Sequence, residues 1–157
     1  MKIKVHNKFK PLFKKDTRYY LLTGGRGSSK SFSVALYLCT LTFEPNQKIL
    51  FTRYTLTSAK ISIIPEFIEK IELLNVGHKF KVTNDSIVNI TTGSVIIFKG
   101  VKTSSGNQTA ALKSLQGITT WVYDEAEEEE SESNFDKIDL SIRTKGVYNK
   151  VVLILNP

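Results

Sequence analysis

Gly24-Gly25-Arg26-Gly27-Ser28-Ser29-Lys30-Ser31 stands between an apolar run, Tyr19-Tyr20-Leu21-Leu22, and a stretch from Lys30 to Leu41 that contains neither glycine nor proline. The run reads as a buried strand entering a tight turn, and the stretch after the loop, with Phe32, Ala35, Leu36, Leu38 and Cys39, reads as a largely buried helix stopped by Glu44-Pro45-Asn46. The octapeptide matches G-x-x-x-x-G-K-[ST] at every position but one. In that pattern backbone N–H groups at a helix N-terminus surround phosphates, a lysine reaches the β and γ oxygens, and a hydroxyl binds Mg²⁺. Lys30 and Ser31 take the last two roles, and Gly24, Gly25, Arg26, Gly27, Ser28 and Ser29 form the nucleotide-binding loop. Ser29 replaces the second glycine. A serine suffices there provided its φ is negative, since Gly24, Gly25 and Gly27 already give phosphate a close approach to the backbone. The competing reading is a glycine-rich turn that binds nothing, but the strand before the loop and the helix after it are the context that phosphate binding requires.

Outward from the loop, Ile49-Leu50-Phe51 predicts a second strand. The segment from Ser58 to Leu74 places Ile61, Ile64, Phe67, Ile68 and Ile71 on one helical face, with Glu66, Glu69, Lys70 and Glu72 mostly opposite and Pro65 imposing a kink or a break. Phe80–Val82, Ser86–Ile90 and Ser94–Phe98, punctuated by Asn84-Asp85 and Thr92-Gly93, predict a small antiparallel hairpin insertion. The polar stretch from Gly100 to Thr109 predicts a mobile surface loop. Strands at 119–123 and 151–155 and a helix at 134–142 complete the pattern. Strands alternating with helices argue for an α/β three-layer sandwich around a mainly parallel sheet.

Thr119-Thr120-Trp121-Val122-Tyr123-Asp124-Glu125-Ala126 carries the second chemical signal, a strand that delivers two adjacent carboxylates at its C-terminal end. Asp124 is placed to hold the hydration shell of Mg²⁺, and Glu125 to orient or deprotonate an attacking water. Alternatively the two merely begin the solvated acidic run Glu127-Glu128-Glu129-Glu130. Arg26 is a candidate for stabilising γ-phosphate charge, in cis or across a subunit boundary, or is a solvent-facing loop residue. Arg143 is a candidate arginine finger or a surface ion-pair residue. Arg53 suits a DNA phosphate, a coupling element or a structural role. Trp121 reads as core. His6 and His78 have no partner at metal-ligand spacing.

The 157 residues carry 41% hydrophobic and 24% charged residues, with a net charge of +7, which excludes a wholly disordered or collagenous chain. The single cysteine, Cys39, excludes an intrachain disulfide framework and suits a reducing compartment. No apolar run approaches the roughly 20 residues of a membrane span. Charge is partitioned along the chain: residues 1–40 carry nine Lys or Arg against one acid, whereas residues 123–157 carry four against nine. A basic face attracts phosphate-bearing partners, nucleic acid first among them.

Taken together, the motifs resemble the N-terminal ATPase domain of the large terminase subunit of tailed phages, a DNA-packaging motor. The resemblance runs through Asn7-Lys8-Phe9-Lys10-Pro11-Leu12-Phe13 and Thr17-Arg18-Tyr19-Tyr20, the arginine-containing loop from Gly24 to Ser31, Phe98-Lys99-Gly100, Leu112-Lys113-Ser114-Leu115-Gln116-Gly117, the stretch from Trp121 to Glu128, and Leu155-Asn156-Pro157. It implies a P-loop NTPase fold of the RecA-like (ASCE) type, with an extra strand between the phosphate-loop strand and the acidic strand. It also implies a lead-in segment contacting adenine, and a coupling element at Leu155-Asn156-Pro157. The implied function is hydrolysis of Mg-ATP coupled to translocation of double-stranded DNA into a procapsid in the cytoplasm of a bacterial host. The implied partners are DNA, a portal protein, a small terminase subunit and further copies in a homo-oligomeric ring, with no membrane. Residues 1–157 then form one P-loop ATPase domain, incomplete at its C-terminus and without the nuclease domain of large terminases. The alternative is a nucleotide-binding fragment or subunit without turnover of its own. A small-molecule kinase is a remoter reading, because adjacent Asp124 and Glu125 suit activation of water better than transfer to a substrate hydroxyl.

Overall fold

The computed structural model describes residues 3–101, 112 and 115–157. The predicted loop from Gly100 to Thr109 falls, from residue 102 onward, outside the described residues. Among these residues seven strands form one sheet: β1 (Tyr19–Thr23), β2 (Lys48–Arg53), β3 (Phe80–Val82), β4 (Ser86–Asn89), β5 (Val95–Gly100), β6 (Thr120–Asp124) and β7 (Lys150–Leu155). Their order across the sheet is β1-β7-β6-β2-β5-β4-β3. The five strands from β1 to β5 in that order run parallel, and β4 and β3 add an antiparallel edge. β7 lies between β1 and β6, where the resemblance places the extra strand, and the sheet is RecA-like. The third strand of the expected hairpin insertion has a double role, since β5 pairs antiparallel with β4 and parallel with β2.

The helices cover both faces. α1 (Lys30–Leu41) and α2 (Ile64–Leu73) pack on one side, where Val34, Leu38, Phe67 and Ile71 meet Phe51, Phe98, Val122 and Ile154. Phe51, Phe67 and Phe98 form an aromatic triad with ring centroids 5.3–5.7 Å apart. On the other side α3 (Glu132–Asp139) and the residues after it bury Ile138 and Ile142 against Leu50, Trp121, Tyr123 and Val151. Every β6 residue is buried, as a central parallel strand requires. Trp121 is core, as expected: its indole is fully buried and Nε1 donates to Thr52 Oγ1 at 2.9 Å.

Local chemistry explains the breaks. The helix expected over 58–74 is in two pieces, a single turn at Leu56–Ser58 and α2, joined by π-helical backbone at Ala59–Ile63. Pro65 sits in the first turn of α2, where its missing N–H costs nothing. Ser131 caps α3 by accepting from the Asn134 N–H at 3.2 Å, so that helix starts and ends earlier than the sequence suggested. Lys70, read as solvent-facing, is instead buried, its ammonium 4.6 Å from the Phe32 ring and 2.8 Å from Glu69 Oε1.

All five parallel strands end at one edge of the sheet. Thr23 leads into the glycine loop, Arg53 ends β2, Asp124 ends β6, and Asn156 follows β7. That edge is where an open parallel sheet places a ligand.

Candidate phosphate site

A cavity of about 530 Å³ opens at this edge, lined by residues 25–32 together with Arg53, Ser62, Glu66, Asp124, Glu125 and Asn156. Every predicted site residue except Gly24 lines it, and Gly24 adjoins through its carbonyl, which accepts from Lys30 Nζ. No residue of the lead-in segment, 7–20, is in the lining. That segment packs on the far end of α1, where Phe13 meets Tyr37 edge-on at 5.2 Å. Arg143 is exposed on the segment entering β7, at the opposite edge of the sheet.

The loop is built by its glycines and its lysine. Gly27 has φ +76°, and a Cβ at Gly25 or Gly27 would meet nothing within 4 Å, so backbone lies open to a ligand at both positions. Lys30 is buried to 5% exposure, and its ammonium turns into the loop, donating to the Gly24 and Gly25 carbonyls and, at 3.1 Å, to Ser28 Oγ. A phosphate entering this loop competes with those carbonyls for the same donor. Ser29 departs from the sequence-based condition. Its φ is +63°, in the left-handed region, because the residue that immediately precedes α1 must turn the chain into the helix. A serine there costs about 1 kcal/mol relative to a relaxed backbone.

The acidic half of the site is organised by Arg53. Its Nε donates to Asp124 Oδ2 at 2.8 Å, its Nη2 lies 3.3 Å from Glu125 Oε1, and its Nη1 donates to Ser62 Oγ at 2.8 Å. The β2–β6 pairing, Thr52 opposite Tyr123, brings these residues together at the strand ends. The Asp124 side chain is 4% exposed and that of Glu125 is 30% exposed. Burial pushes the Glu125 carboxyl above its ordinary value, with Arg53 opposing and Asp124 reinforcing the shift. Glu125 itself has φ +58° and opens a short 3₁₀ turn, Ala126–Glu128, that carries the chain away from the sheet. A non-glycine residue held in this region at a cavity wall is a mark of a constrained site.

Sequence reasoning left Arg53 among three alternatives and placed Glu66 on a solvated helix face. The structure puts both in the cavity wall. Burial raises the Glu66 carboxyl as well, with Lys70 opposing and Glu69 and Asp124 adding to the shift. Ser31, Glu66 and Asp124 also line a narrow apolar cleft beneath the main cavity, beside Phe51, Phe67 and Ile154. Cys39 is buried in α1, and its thiol is pushed up to about 12, so it is inert. Among the described residues no group of three or more His, Cys, Asp or Glu could hold a metal ion, and no helix is long and apolar enough to cross a membrane.

Comparison with known proteins identifies the family and the fold. The family model described as phage terminase large subunit matches residues 16–157. The large terminase subunit of Bacillus phage SPP1 is 30% identical over 125 residues, which cover 73% of this chain and 28% of that protein. A large terminase of a thermophilic bacteriophage superposes with a TM-score of 0.74 at 12% identity, over 96% of this chain and 39% of that one. Its complex with ADP gives 0.68 at 10%, over 96% and 38%. The large terminase ATPase domain of Thermus phage P74-26 gives 0.60 at 16%, over 88% and 59%. At these identities the structural likenesses establish the fold alone. The chain spans less than a third of the curated relative it matches, and the match of the family model over residues 16–157 places it in the phage terminase large subunit family.

Proposed function

We propose that this chain binds Mg-ATP in the cavity at the strand ends and hydrolyses it, as the ATPase part of a motor that translocates double-stranded DNA into a procapsid. One observation carries the reading: Lys30, Ser31, Asp124 and Glu125, separated by up to 95 positions in sequence, line a single cavity above a glycine loop. The family match and the ATPase domain and ADP complex among the similar structures support it.

Each residue then has a role set by its chemistry. Backbone N–H groups of residues 25–31 and the N-terminus of α1 hold the phosphates. Lys30 exchanges its loop carbonyls for β and γ oxygens, and Arg26, exposed at the mouth, adds positive charge to the γ-phosphate. The donor set fits magnesium, which takes oxygen ligands and keeps much of its water. The Ser31 hydroxyl and the Asp124 carboxylate would hold it, and it would neutralise charge on the β and γ phosphates. Glu125 accepts the proton of the water that attacks the γ-phosphorus, so the products are ADP and inorganic phosphate. Its raised pKa makes it a better base than an ordinary carboxylate. Asn156, at the cavity wall after β7, is placed to sense the γ-phosphate as part of the coupling element. Portal protein, small terminase subunit, a homo-oligomeric ring and the cytoplasm of a bacterial host complete the proposed setting.

A second reading, a nucleotide-holding subunit without turnover of its own, is favoured by one feature. Arg53 pairs with both carboxylates, so Glu125 is engaged by a cation rather than poised toward a water. Titration calorimetry with Mg-ATP, with Lys30→Ala as control, tests the common ground. Saturable binding that disappears in the variant is expected, and no binding by a folded wild-type chain would contradict both readings.

A further inference from the structure

The edge of the sheet opposite the phosphate site is basic. Lys150 opens β7 with its side chain fully buried, its ammonium donating to the carbonyls of Leu12 and Lys14 and facing the rings of Tyr20, Tyr37 and Tyr148 at 4.5–5.5 Å. This buried cation pins the lysine-rich lead-in segment to the start of β7. The Tyr148 hydroxyl donates to the Thr17 carbonyl, and the Arg18 guanidinium donates to the Ile142 carbonyl at 2.9 Å, so residues 14–18 run beside residues 142–148. A groove of about 330 Å³ lies at this junction, lined among others by Lys15, Tyr37, Gly146 and Tyr148.

Among the described residues, five exposed cations on the lead-in segment and on residues 142–148 form no ion pair: Lys8, which lies over the Phe9 ring, Lys10, Lys14, Arg143 and Lys145. Lys15 is paired with Glu44 at 2.5 Å. At the other edge of the sheet, beyond β6, Glu127, Glu128 and Glu130 are exposed. A polyanion is therefore repelled from the β6 end and drawn to the β7 start. We propose that this basic rim, with Lys10 and Lys14 on the lead-in segment and Arg143 and Lys145 on the segment beside it, is the surface on which the protein holds duplex DNA through its phosphates.

Exposed cations spread over two adjacent segments suit the extended phosphate backbone of a duplex better than a point anion. Contacts made by lysine and arginine to phosphate oxygens carry no sequence information, so binding without sequence preference is expected. Arg143 then serves a DNA phosphate rather than a nucleotide, and the lead-in segment becomes part of the track. Placing DNA at the strand starts and nucleotide at the strand ends leaves the whole sheet between them, so β7, which carries Lys150 at one end and Asn156 near the other, connects the two.

The inference rests on the DNA-motor reading, and the experiment separates the two: ATP turnover without DNA reports on that reading, and DNA affinity on this one. Anisotropy of a short labelled duplex of mixed sequence is titrated with wild type, with the combined variant Lys10→Glu, Lys14→Glu, Arg143→Glu and Lys145→Glu, and with a control, Lys60→Glu and Lys81→Glu, at exposed positions elsewhere. The rim variant is expected to lose more than about tenfold in affinity, and its log–log salt slope to fall by about 0.9 for each phosphate contact removed. The control is expected to stay within about twofold of wild type, and turnover without DNA to be unchanged in both variants. A wild type that does not bind duplex, a rim variant that binds as wild type does, or a control that loses as much would overturn the proposal. So would a rim variant that differs only in sedimentation, losing self-association at unchanged DNA affinity, which would assign the rim to contact with a second copy.

Discussion

The Arg53 guanidinium holds Asp124 Oδ2 at 2.8 Å with Nε while its Nη2 stands 3.3 Å from Glu125 Oε1, so one side chain neutralises both acids of the candidate site. Truncation leaves a carboxylate with a 4%-exposed side chain, Asp124, without that partner. Breaking a buried pair from one side costs about 3–5 kcal/mol, and for a chain of this length that lowers Tm by about 10 °C. Arg53→Ala is expected to show this loss in a thermal melt. Adding Asp124→Asn to Arg53→Ala is expected to restore most of it; a double variant no more stable than Arg53→Ala would show that the pair is not the source.

Ser29 gives a test of the loop itself. With φ at +63°, glycine relieves the backbone while giving up some order in the unfolded chain, so Ser29→Gly is expected to be neutral or stabilising by up to about 1 kcal/mol. Ser29→Val, β-branched in the same conformation, is expected to destabilise by more than 1 kcal/mol, about the cost of forcing such a residue there. Denaturant midpoints of the three proteins decide it, and an order other than Gly, Ser, Val contradicts the assigned geometry.

Gly100 is required by close approach. A Cβ there would lie 2.5 Å from the Leu56 N and 3.0 Å from the Thr55 carbonyl carbon, and Gly100 pairs with Arg53 across β2 and β5. Gly100→Ala must push the Thr55–Leu56 backbone away, at a cost of about 1–3 kcal/mol, and with it the segment that positions Arg53. A drop in Tm accompanied by weaker nucleotide binding is expected. Unchanged stability would contradict the contact.

Lys150 fixes a pH dependence. Burial lowers its ammonium from 10.5 to about 8. Between those two values the unfolded chain holds a proton that the folded chain has released, so the unfolded state binds more protons and stability rises with pH. Below about pH 8 both states are protonated at this lysine and the penalty is fully present. The difference in stability between wild type and Lys150→Met is therefore expected to move in favour of wild type as pH rises from 8 to 10.5. A pH-independent difference would contradict the lowered value.

The legible part of the molecule is the part governed by local rules. The strand, glycine loop and helix from Tyr19 to Leu41 follow from apolar runs and breakers, and α1 occupies the residues read from sequence. Pro65 announces the divided helix. Position across the sheet is a different matter: nothing local distinguishes β7 as the strand between β1 and β6, and that expectation came from family resemblance. Arg53 was ambiguous for the same reason, since its partners are set by the Thr52–Tyr123 register, 71 positions away. Glu66 and Lys70 were misplaced because a helical wheel does not show that a phosphate loop and Phe32 approach the polar side of α2. The sign of φ at Ser29 follows from how the loop enters α1, which composition does not reveal.

ATP turnover by Glu125→Gln, measured alongside its nucleotide affinity, tests the central claim most directly. The amide keeps the shape of the side chain and cannot accept a proton. The account predicts affinity within about twofold of wild type and turnover lower by about 100-fold or more, the range of a lost general base. A variant that turns over ATP as fast as wild type, or that loses binding and turnover together, would contradict the assignment of Glu125 to the chemical step.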